Sequence, residues 1–230
     1  MNYDNKKIYE ELKGWDNGNY FGQWETDRVI EKYFPKNHIG KCVEVGAANG
    51  VKGSNTLYFE KKGWDVLCIE PNVAHKESLE KYRKFVRYFA CSNSEGQFPL
   101  KVFKVGENNI MTSLTSLSPD ERLLESHKDI INESYTIDVQ VDTLTSILLK
   151  HTENTPLHNT KKIDFISIDT EGTEIDVLKG FDFESFDVFL FVVENNYDDK
   201  DIEDFMIEKG YKKVERYKIN DFYIEKDVLR

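Results

Sequence analysis

Short apolar runs alternate with amphipathic stretches in the first part of the chain. The runs have the length of buried strands, and the stretches between them carry apolar residues at helical spacing. The pattern predicts strands at 42–45, 64–69 and 85–89 and helices at 55–62 and 75–82. Strands that alternate with helices through short connections predict a parallel sheet.

The second part of the chain returns to this alternation. It predicts helices at 142–150, 174–178 and 201–209, strands at 163–168 and 188–193, and a terminal hairpin at 211–218 and 222–225. A chain of 230 residues is of ordinary size for one α/β domain. We therefore expect a single domain over residues 1–230.

Two segments fall outside the alternation. Residues 1–38 form an amphipathic segment, with Ile8, Leu12, Val29 and Ile30 at roughly helical spacing, and we expect this segment to cap the sheet. Residues 96–141 read as an insertion, in which strand-like stretches at 98–105 and 135–141 flank a polar stretch, 106–134, without a strong apolar period. We predict that the polar stretch is a mobile region on the substrate side.

Composition and charge narrow the class of protein. Hydrophobic residues make up 39% of the chain and charged residues 32%, which suits a folded core. The formal net charge of −11 disfavours nucleic acid as a partner, because phosphate binding relies on cationic surface. The longest purely apolar stretch, 188–193, is far shorter than the ~20 residues of a membrane helix, so we expect a cytoplasmic protein without a membrane partner. Cys42, Cys68 and Cys91 lie in or just after predicted strands, as free thiols do.

A glycine-bearing turn follows the first predicted strand. The strand contains Glu44, and the turn contains Gly46, Ala47, Asn49 and Gly50. A dinucleotide-binding turn has the pattern G-x-G-x-x-G, which seats a pyrophosphate at a helix N-terminus. Here a carboxylate lies inside the strand and would repel a pyrophosphate. The turn therefore favours a cationic ligand.

The second predicted strand ends at Glu70, at the spacing of the acidic residue that accepts both ribose hydroxyls in nucleotide-binding folds. Asn72 follows it and is expected to assist. The same residues without a ligand would form only a tight turn and an exposed carboxylate before Pro71. The pairing of the turn with Glu70 favours the cofactor site.

A second motif, residues 163–174, reads IDFISIDTEGTE. Together with the Gly46 turn and shorter matches between residues 22 and 195, it resembles the FkbM-type branch of the class I S-adenosylmethionine (SAM)-dependent methyltransferases. The resemblance implies a Rossmann-like, mostly parallel sheet of seven strands with a reversed last strand. It also implies SAM as cofactor and methyl transfer to a hydroxyl of a sugar, glycan or related small metabolite. Cys91 and Ser92 would lie where such enzymes hold the adenine.

Acidic residues end two strands of the second half. Asp169 and Glu171 follow one predicted strand, and Glu194 follows the next. Open α/β sheets bind ligands at these strand ends, and O-methylation needs removal of a hydroxyl proton. We therefore predict Asp169, Glu171 and Glu194 as catalytic residues, with Asp169 also near the cofactor. The alternative is that the acids after the first of these strands only complement the dipole of the helix that starts at Glu174.

Asp169, Glu194 and Asn195 also resemble the magnesium site of catechol-type O-methyltransferases, although that family has Asp where this chain has Glu194. A divalent cation there would lower the pKa of the acceptor hydroxyl. The alternative is a site without metal, in which Glu194 acts as base. His127, in the insertion, is a further candidate base.

Two other classes of protein remain open from the sequence. One is a binding module that keeps the nucleotide turn without catalysis, and the other is a nicotinamide-dependent oxidoreductase. The presence of Glu44, Glu70, Asp169 and Glu194 argues against a binding module without catalysis. The missing G-x-G argues against a nicotinamide-dependent oxidoreductase. The sequence gives no expectation for the oligomeric state.

Overall fold

A computed structural model describes residues 20–105 and 111–226. The strands are β1 (Lys41–Val45), β2 (Asp65–Ile69), β3 (Val86–Arg87), β4 (Ala90–Cys91), β5 (Gly96–Val105), β6 (Met111–Ser116), β7 (Ile131–Asp142), β8 (Lys162–Ile168), β9 (Asp187–Glu194), β10 (Tyr211–Tyr217) and β11 (Asn220–Glu225). The α-helices are α1 (Thr26–Glu31), α2 (Leu57–Lys61), α3 (Lys76–Tyr82), α4 (Glu121–His127), α5 (Leu144–Lys150), α6 (Glu174–Lys179) and α7 (Lys200–Glu208). Short 3-10 turns precede α1 and α3.

Seven strands form the main sheet, in the order β3-β2-β1-β8-β9-β11-β10. The pairs from β3 to β9 are parallel, whereas β11 runs antiparallel to both β9 and β10. This confirms the predicted seven-stranded, mostly parallel sheet with a reversed last strand. Its central strands are mostly apolar because both faces of the sheet are covered, although Glu44 interrupts β1 and Asp164 and Ser167 interrupt β8.

Two apolar clusters cover these faces. On one face, residues of α5, α6 and α7, including Ile147, Leu178 and Met206, pack against the strands. On the other, Phe59 and Trp64 pack against Phe165 of β8 with ring centroids 4.9 and 5.8 Å away. The helices therefore fix the strand ends in space.

The expected N-terminal cap is partly described. Phe21 and the α1 residues Val29 and Ile30 belong to the second apolar cluster, so residues 20–38 cover the sheet. Ile8 and Leu12 lie outside the described residues.

The predicted insertion forms a second sheet, in the order β4-β7-β5-β6. The polar stretch at 106–134 differs from the prediction, because it contains β6, α4 and the start of β7, while residues 106–110 lie outside the described part. Asp120 caps α4 by accepting a hydrogen bond from the Arg122 backbone N–H, and Leu123 is buried. One buried residue per helical turn suffices for a short helix packed on a sheet, and it leaves no strong apolar period.

Within the described ranges, the structure contains no helix long and apolar enough to cross a membrane.

Candidate cofactor and acceptor site

The strand register brings the candidate residues into one row. It aligns the last paired residues of β2, β1, β8 and β9. The next residues along these strands, Glu70, Gly46, Asp169 and Glu194, therefore lie together, and we call this row the cavity floor. A cavity of about 670 Å³ opens above it, within the range of small-molecule sites.

The turn after β1 requires glycine at its first position. Gly46 has a φ of +85°, and a Cβ atom there would lie 1.7 Å from the carbonyl oxygen of Asp169. The Gly46 N–H donates to the Ile69 carbonyl oxygen at 2.9 Å. The β1 backbone consequently approaches β2 and β8 so closely that no side chain fits.

Glu44 lines the cavity, but its carboxylate already has protein partners. It accepts hydrogen bonds from Ser54 Oγ, the Asn55 N–H and Thr56 Oγ1 at 2.7 to 2.9 Å. Arg83 Nη1, fully buried, forms an ion pair with it at 2.9 Å. The expected contact between Glu44 and a cationic cofactor would have to displace one of these partners, so the structure gives Glu44 the role of holding the turn.

Glu70 occupies the position expected for a ribose ligand. Its two carboxylate oxygens accept hydrogen bonds from the backbone N–H groups of Ala48 and Asn72, both at 2.8 Å. Burial, and secondarily the charges of Asp169 and Glu44, raises the pKa of Glu70 to about 7. Each oxygen keeps a lone pair for a hydroxyl donor.

The other residues predicted for the cofactor divide into two groups. The cavity is lined by Glu44, Gly46, Ala47, Glu70, Cys91 and Asp169. Its lining does not include Asn49, Gly50, Asn72 or Ser92. The latter shape the surroundings: Asn49 Oδ1 accepts from the N–H groups of Val51 and Lys52, and the Ser92 N–H donates to Asp142.

Asn72 and Gly50 act in the same indirect way. Asn72 Oδ1 accepts from the Ala74 N–H and starts the turn before α3. Gly50 has a φ of +78°, and a Cβ atom there would lie 2.9 Å from Arg83 Cγ. Both residues therefore support the turns around the cavity.

The predicted catalytic acids all line the cavity. Oxygens of the buried Asp169 and Glu194 carboxyl groups lie within 4.8 Å of one another, so a proton held between them relieves the repulsion of two like charges. Burial first, and then the Glu174 charge, raises the pKa of Asp169 to about 7. Burial and the Asp169 charge raise the pKa of Glu194 well above its ordinary value, so Glu194 is the proton donor of the pair.

Glu171 lies beside this pair in a left-handed backbone conformation, with a φ of 57°. Burial, followed by the charges of Asp169 and Glu174, raises its pKa well above the ordinary value. Glu174, at the start of α6, accepts hydrogen bonds from the N–H groups of Thr170 and Gly172. It therefore supports the loop that carries Asp169 and Glu171.

The group of carboxylates that could hold a metal differs from the predicted set. Oxygens of Asp169, Glu174 and Glu194 lie within 4.8 Å of one another. The side chain of Asn195 is engaged elsewhere, since its Oδ1 accepts from the Asp199 N–H and its Nδ2 donates to Asp221. Asn195 therefore stabilises the loop after β9 and is not part of the group.

The second sheet and α4 close the cavity from the opposite side. We call their lining residues the cavity roof: Leu100, Leu114, Thr115, Ser116, Leu117, Leu123, His127 and Ile130. His127 Nδ1 lies 3.0 Å from the Leu123 carbonyl oxygen and 2.9 Å from Ser126 Oγ. A carbonyl accepts only, so Nδ1 carries the proton and Nε2 of the neutral ring is an acceptor.

Sequence reasoning missed the apolar roof residues and Asn55. The sequence around Pro119 and Asp120 is a helix-start signal that could have located α4. Asn55 and Glu194 line the cavity, and Asn55 Oδ1 and Glu194 Oε2 are buried without a hydrogen-bond partner among the described residues. Such orphaned acceptors in a cavity wall fit a ligand that brings donors.

The topology and the floor define a class I methyltransferase architecture, and comparisons with known proteins agree. The model of the "Methyltransferase FkbM domain" matches residues 44–213, so the chain belongs to the FkbM methyltransferase family. It is 25% identical over 194 residues to "Methyltransferase sdnD" of Sordaria araneosa, covering 74% of this chain and 72% of that protein.

Solved structures with a similar course of the chain include two methyltransferases. A TehB-like SAM-dependent methyltransferase from Corynebacterium glutamicum has a TM-score of 0.46 at 11% identity, covering 95% of this chain and 92% of the other. A putative caffeoyl-CoA O-methyltransferase from Staphylococcus aureus has a TM-score of 0.46 at 15% identity, covering 97% and 93%.

Family membership makes the protein a SAM-dependent methyltransferase, and the floor fits that cofactor. Glu70 offers lone pairs to ribose hydroxyls, while the orphaned oxygens of Asn55 and Glu194 can accept from an ammonium group. The acids of the floor complement the cofactor's positive charges. Gly46 lets the β1 and β8 ends approach each other closely below the cavity.

Proposed function

We propose that the protein transfers a methyl group from SAM to a hydroxyl of a small-molecule acceptor, with sugars and glycans as the class that the sequence resemblance implies. The observation that carries this proposal is the placement of the Asp169 and Glu194 carboxyl groups, with oxygens within 4.8 Å of one another, on the floor of the same cavity as Glu70. The net charge of −11 supports a small acceptor over nucleic acid.

Bound SAM supplies an electrophilic methyl group on a positively charged sulfur. The chain must then hold the acceptor oxygen in line and accept its proton. Asp169, with a pKa of about 7, is poised for that task at neutral pH, because it is partly ionised and still basic enough to take a proton. Glu194 and Glu171 hold and share the proton in the same cavity.

His127 is the alternative proton acceptor. It faces the floor from the cavity roof, and its Nδ1 hydrogen bond leaves Nε2 as acceptor. Replacing Asp169 by Asn and His127 by Gln separates the two. Substitution of the residue that is the base should lower kcat at least about 100-fold. His127→Gln should leave SAM binding unchanged.

A metal-assisted form of the reaction is the second candidate. The grouping of Asp169, Glu174 and Glu194 oxygens within 4.8 Å favours it, since Mg²⁺ prefers oxygen ligands. A cation there would lower the pKa of the acceptor hydroxyl and replace the shared proton. Activity that disappears on chelation and returns with Mg²⁺ supports this form, and activity unchanged by chelation excludes it.

The proposal as a whole is tested by transfer of labelled methyl from SAM to a panel of hydroxyl compounds, followed by mass spectrometry of the product. Methyl groups should appear on oxygen, and Asp169→Asn should abolish the transfer. Methylation on nitrogen, sulfur or carbon would refute O-methylation while leaving the methyltransferase class intact.

A further inference from the structure

The two sides of the cavity differ in chemistry. The floor side carries the carboxyl groups of Glu70, Asp169, Glu171 and Glu194. The cavity roof has four leucines and one isoleucine beside His127, Thr115 and Ser116, with no lysine, arginine, aspartate or glutamate among its residues. A ligand that touches both sides therefore meets carboxyl groups at one end and a mostly apolar, uncharged wall at the other.

The roof leucines belong to the apolar core of the second sheet. Leu114 and Leu123 form one cluster with Phe103, and Leu100 packs in the neighbouring cluster with Leu117. Leu100, Leu114 and Leu123 are at most 6% exposed, so their positions are set by the packing of the sheet. The apolar wall is thus preformed.

Ile130 differs from these leucines because it is 47% exposed and still lines the cavity. An isoleucine with this much exposed apolar surface gains free energy when a ligand covers it. It lies immediately after α4, where the cavity roof meets solvent. Ile130 is therefore the roof residue that can be changed with the least effect on folding.

Charge excludes one large group of acceptors. Among the described residues that line the cavity, lysine occurs once, at Lys52, against the carboxyl groups of Glu44, Glu70, Asp169, Glu171 and Glu194. A phosphorylated or carboxylated acceptor would bury its charge among carboxyl groups, with Lys52 as the single lysine or arginine of the described lining to pair with it. The cavity suits an uncharged acceptor.

We infer that the acceptor is a neutral alcohol or phenol whose hydroxyl adjoins an apolar body, with the hydroxyl at the floor and the body against the cavity roof. This inference rests on the proposed function and narrows its acceptor class. A free sugar has hydroxyls over its whole surface and would leave the leucines in contact with polar groups. A sugar attached to an apolar group satisfies both sides.

Calorimetry on the full chain loaded with S-adenosylhomocysteine tests the inference with three probes. 1-Naphthol carries a hydroxyl on an apolar body, 1-naphthyl phosphate replaces the hydroxyl by an anion, and glucose lacks the apolar body. We expect 1-naphthol to bind at least about tenfold more tightly than either of the others. Equal or tighter binding of glucose or of the phosphate overturns the inference.

A matched pair of variants locates the binding. Ile130→Asn should weaken 1-naphthol binding about fivefold and leave S-adenosylhomocysteine binding unchanged. Ile207→Asn is the control, because Ile207 is 44% exposed on α7 and outside the cavity lining. Equal 1-naphthol affinity in the two variants contradicts the placement. Failure of S-adenosylhomocysteine to bind the unchanged protein contradicts the proposed function instead, so the two failures are distinguishable.

Discussion

Removing the Arg83 side chain should cost far more stability than removing an exposed cation. Arg83 is fully buried and donates to Glu60 Oε2 at 2.6 Å and to Glu44 Oε2 at 2.9 Å. It also donates to the Gly50 carbonyl oxygen, Ser54 Oγ and Thr56 Oγ1. Arg83→Met leaves two buried carboxylates without a cation, so we expect a loss of about 3–5 kcal/mol in the free energy of unfolding.

Urea unfolding monitored by circular dichroism measures this loss. Lys76→Met is the matched control, because the Lys76–Glu80 pair is 3.6 Å long and more than half exposed, so its loss should cost at most about 0.5 kcal/mol. The Arg83 variant should also bind S-adenosylhomocysteine more weakly, since Glu44 then no longer holds the turn. A loss below about 1 kcal/mol for Arg83→Met would refute the assignment of Glu44 to this network.

Three further predictions concern the cavity and its edges. Gly46→Ala should abolish cofactor binding in calorimetry, because its Cβ would clash with the Asp169 carbonyl oxygen. Gly210→Ala is the control, because Gly210 also has a positive φ, +89°, but open space for a Cβ. It should cost only about 1–2 kcal/mol of strain and leave binding intact. The pKa of Glu70 is about 7 in the folded protein and 4.5 in the unfolded chain, so the ligand-free protein should lose about 3 kcal/mol of stability as pH rises from 4.5 to 7. Glu70→Gln should remove this part of the dependence of the free energy of unfolding on pH. An unchanged pH dependence in the variant would contradict the prediction. Arg122 joins α4 to the loop after β9 through both oxygens of Asp199, so Arg122→Gln should speed hydrogen exchange in α4 and leave exchange in the main sheet unchanged. Unchanged exchange in α4 would show that the pair does not hold α4.

The main sheet could be predicted from sequence because its strands are rich in apolar residues. Strands buried on both faces, such as Ile163–Ile168 within β8, stand out from the polar connections around them. Helix boundaries were less accurate. The predicted helix at 55–62 begins at Leu57 in the structure, because Asn55 and Thr56 donate hydrogen bonds to Glu44.

The second sheet was harder to predict for a physical reason. Its strand β7 has only Val139, Val141 and Asp142 buried, and α4 buries only Leu123. Such elements are stabilised by contacts between residues distant in sequence, as in the pairing of β5 with β7 from Gly96 to Val105. Local periodicity does not report contacts of this kind.

The candidate site also contains residues that the sequence could locate and contacts that it could not. The placement of Glu70 and Asp169 at strand ends, where they line the cavity, could be predicted because the end of a parallel strand is a position that sequence can identify. The partners of Glu44 were not foreseen, since Arg83 follows α3 and reaches Glu44 only in the folded chain. Asn195 was assigned to a metal for its position after β9, whereas its hydrogen bonds to Asp199 and Asp221 use the whole amide.

We propose that Glu70 and the floor beside it bind the nucleoside of SAM. Calorimetric titration of S-adenosylhomocysteine into the protein and into Glu70→Ala tests it most directly, with NADH as the competing ligand. We predict micromolar binding to the unchanged protein, at least about tenfold weaker binding to Glu70→Ala, and no binding of NADH. Binding of NADH in place of S-adenosylhomocysteine, or equal affinity of the two protein forms, would contradict the claim.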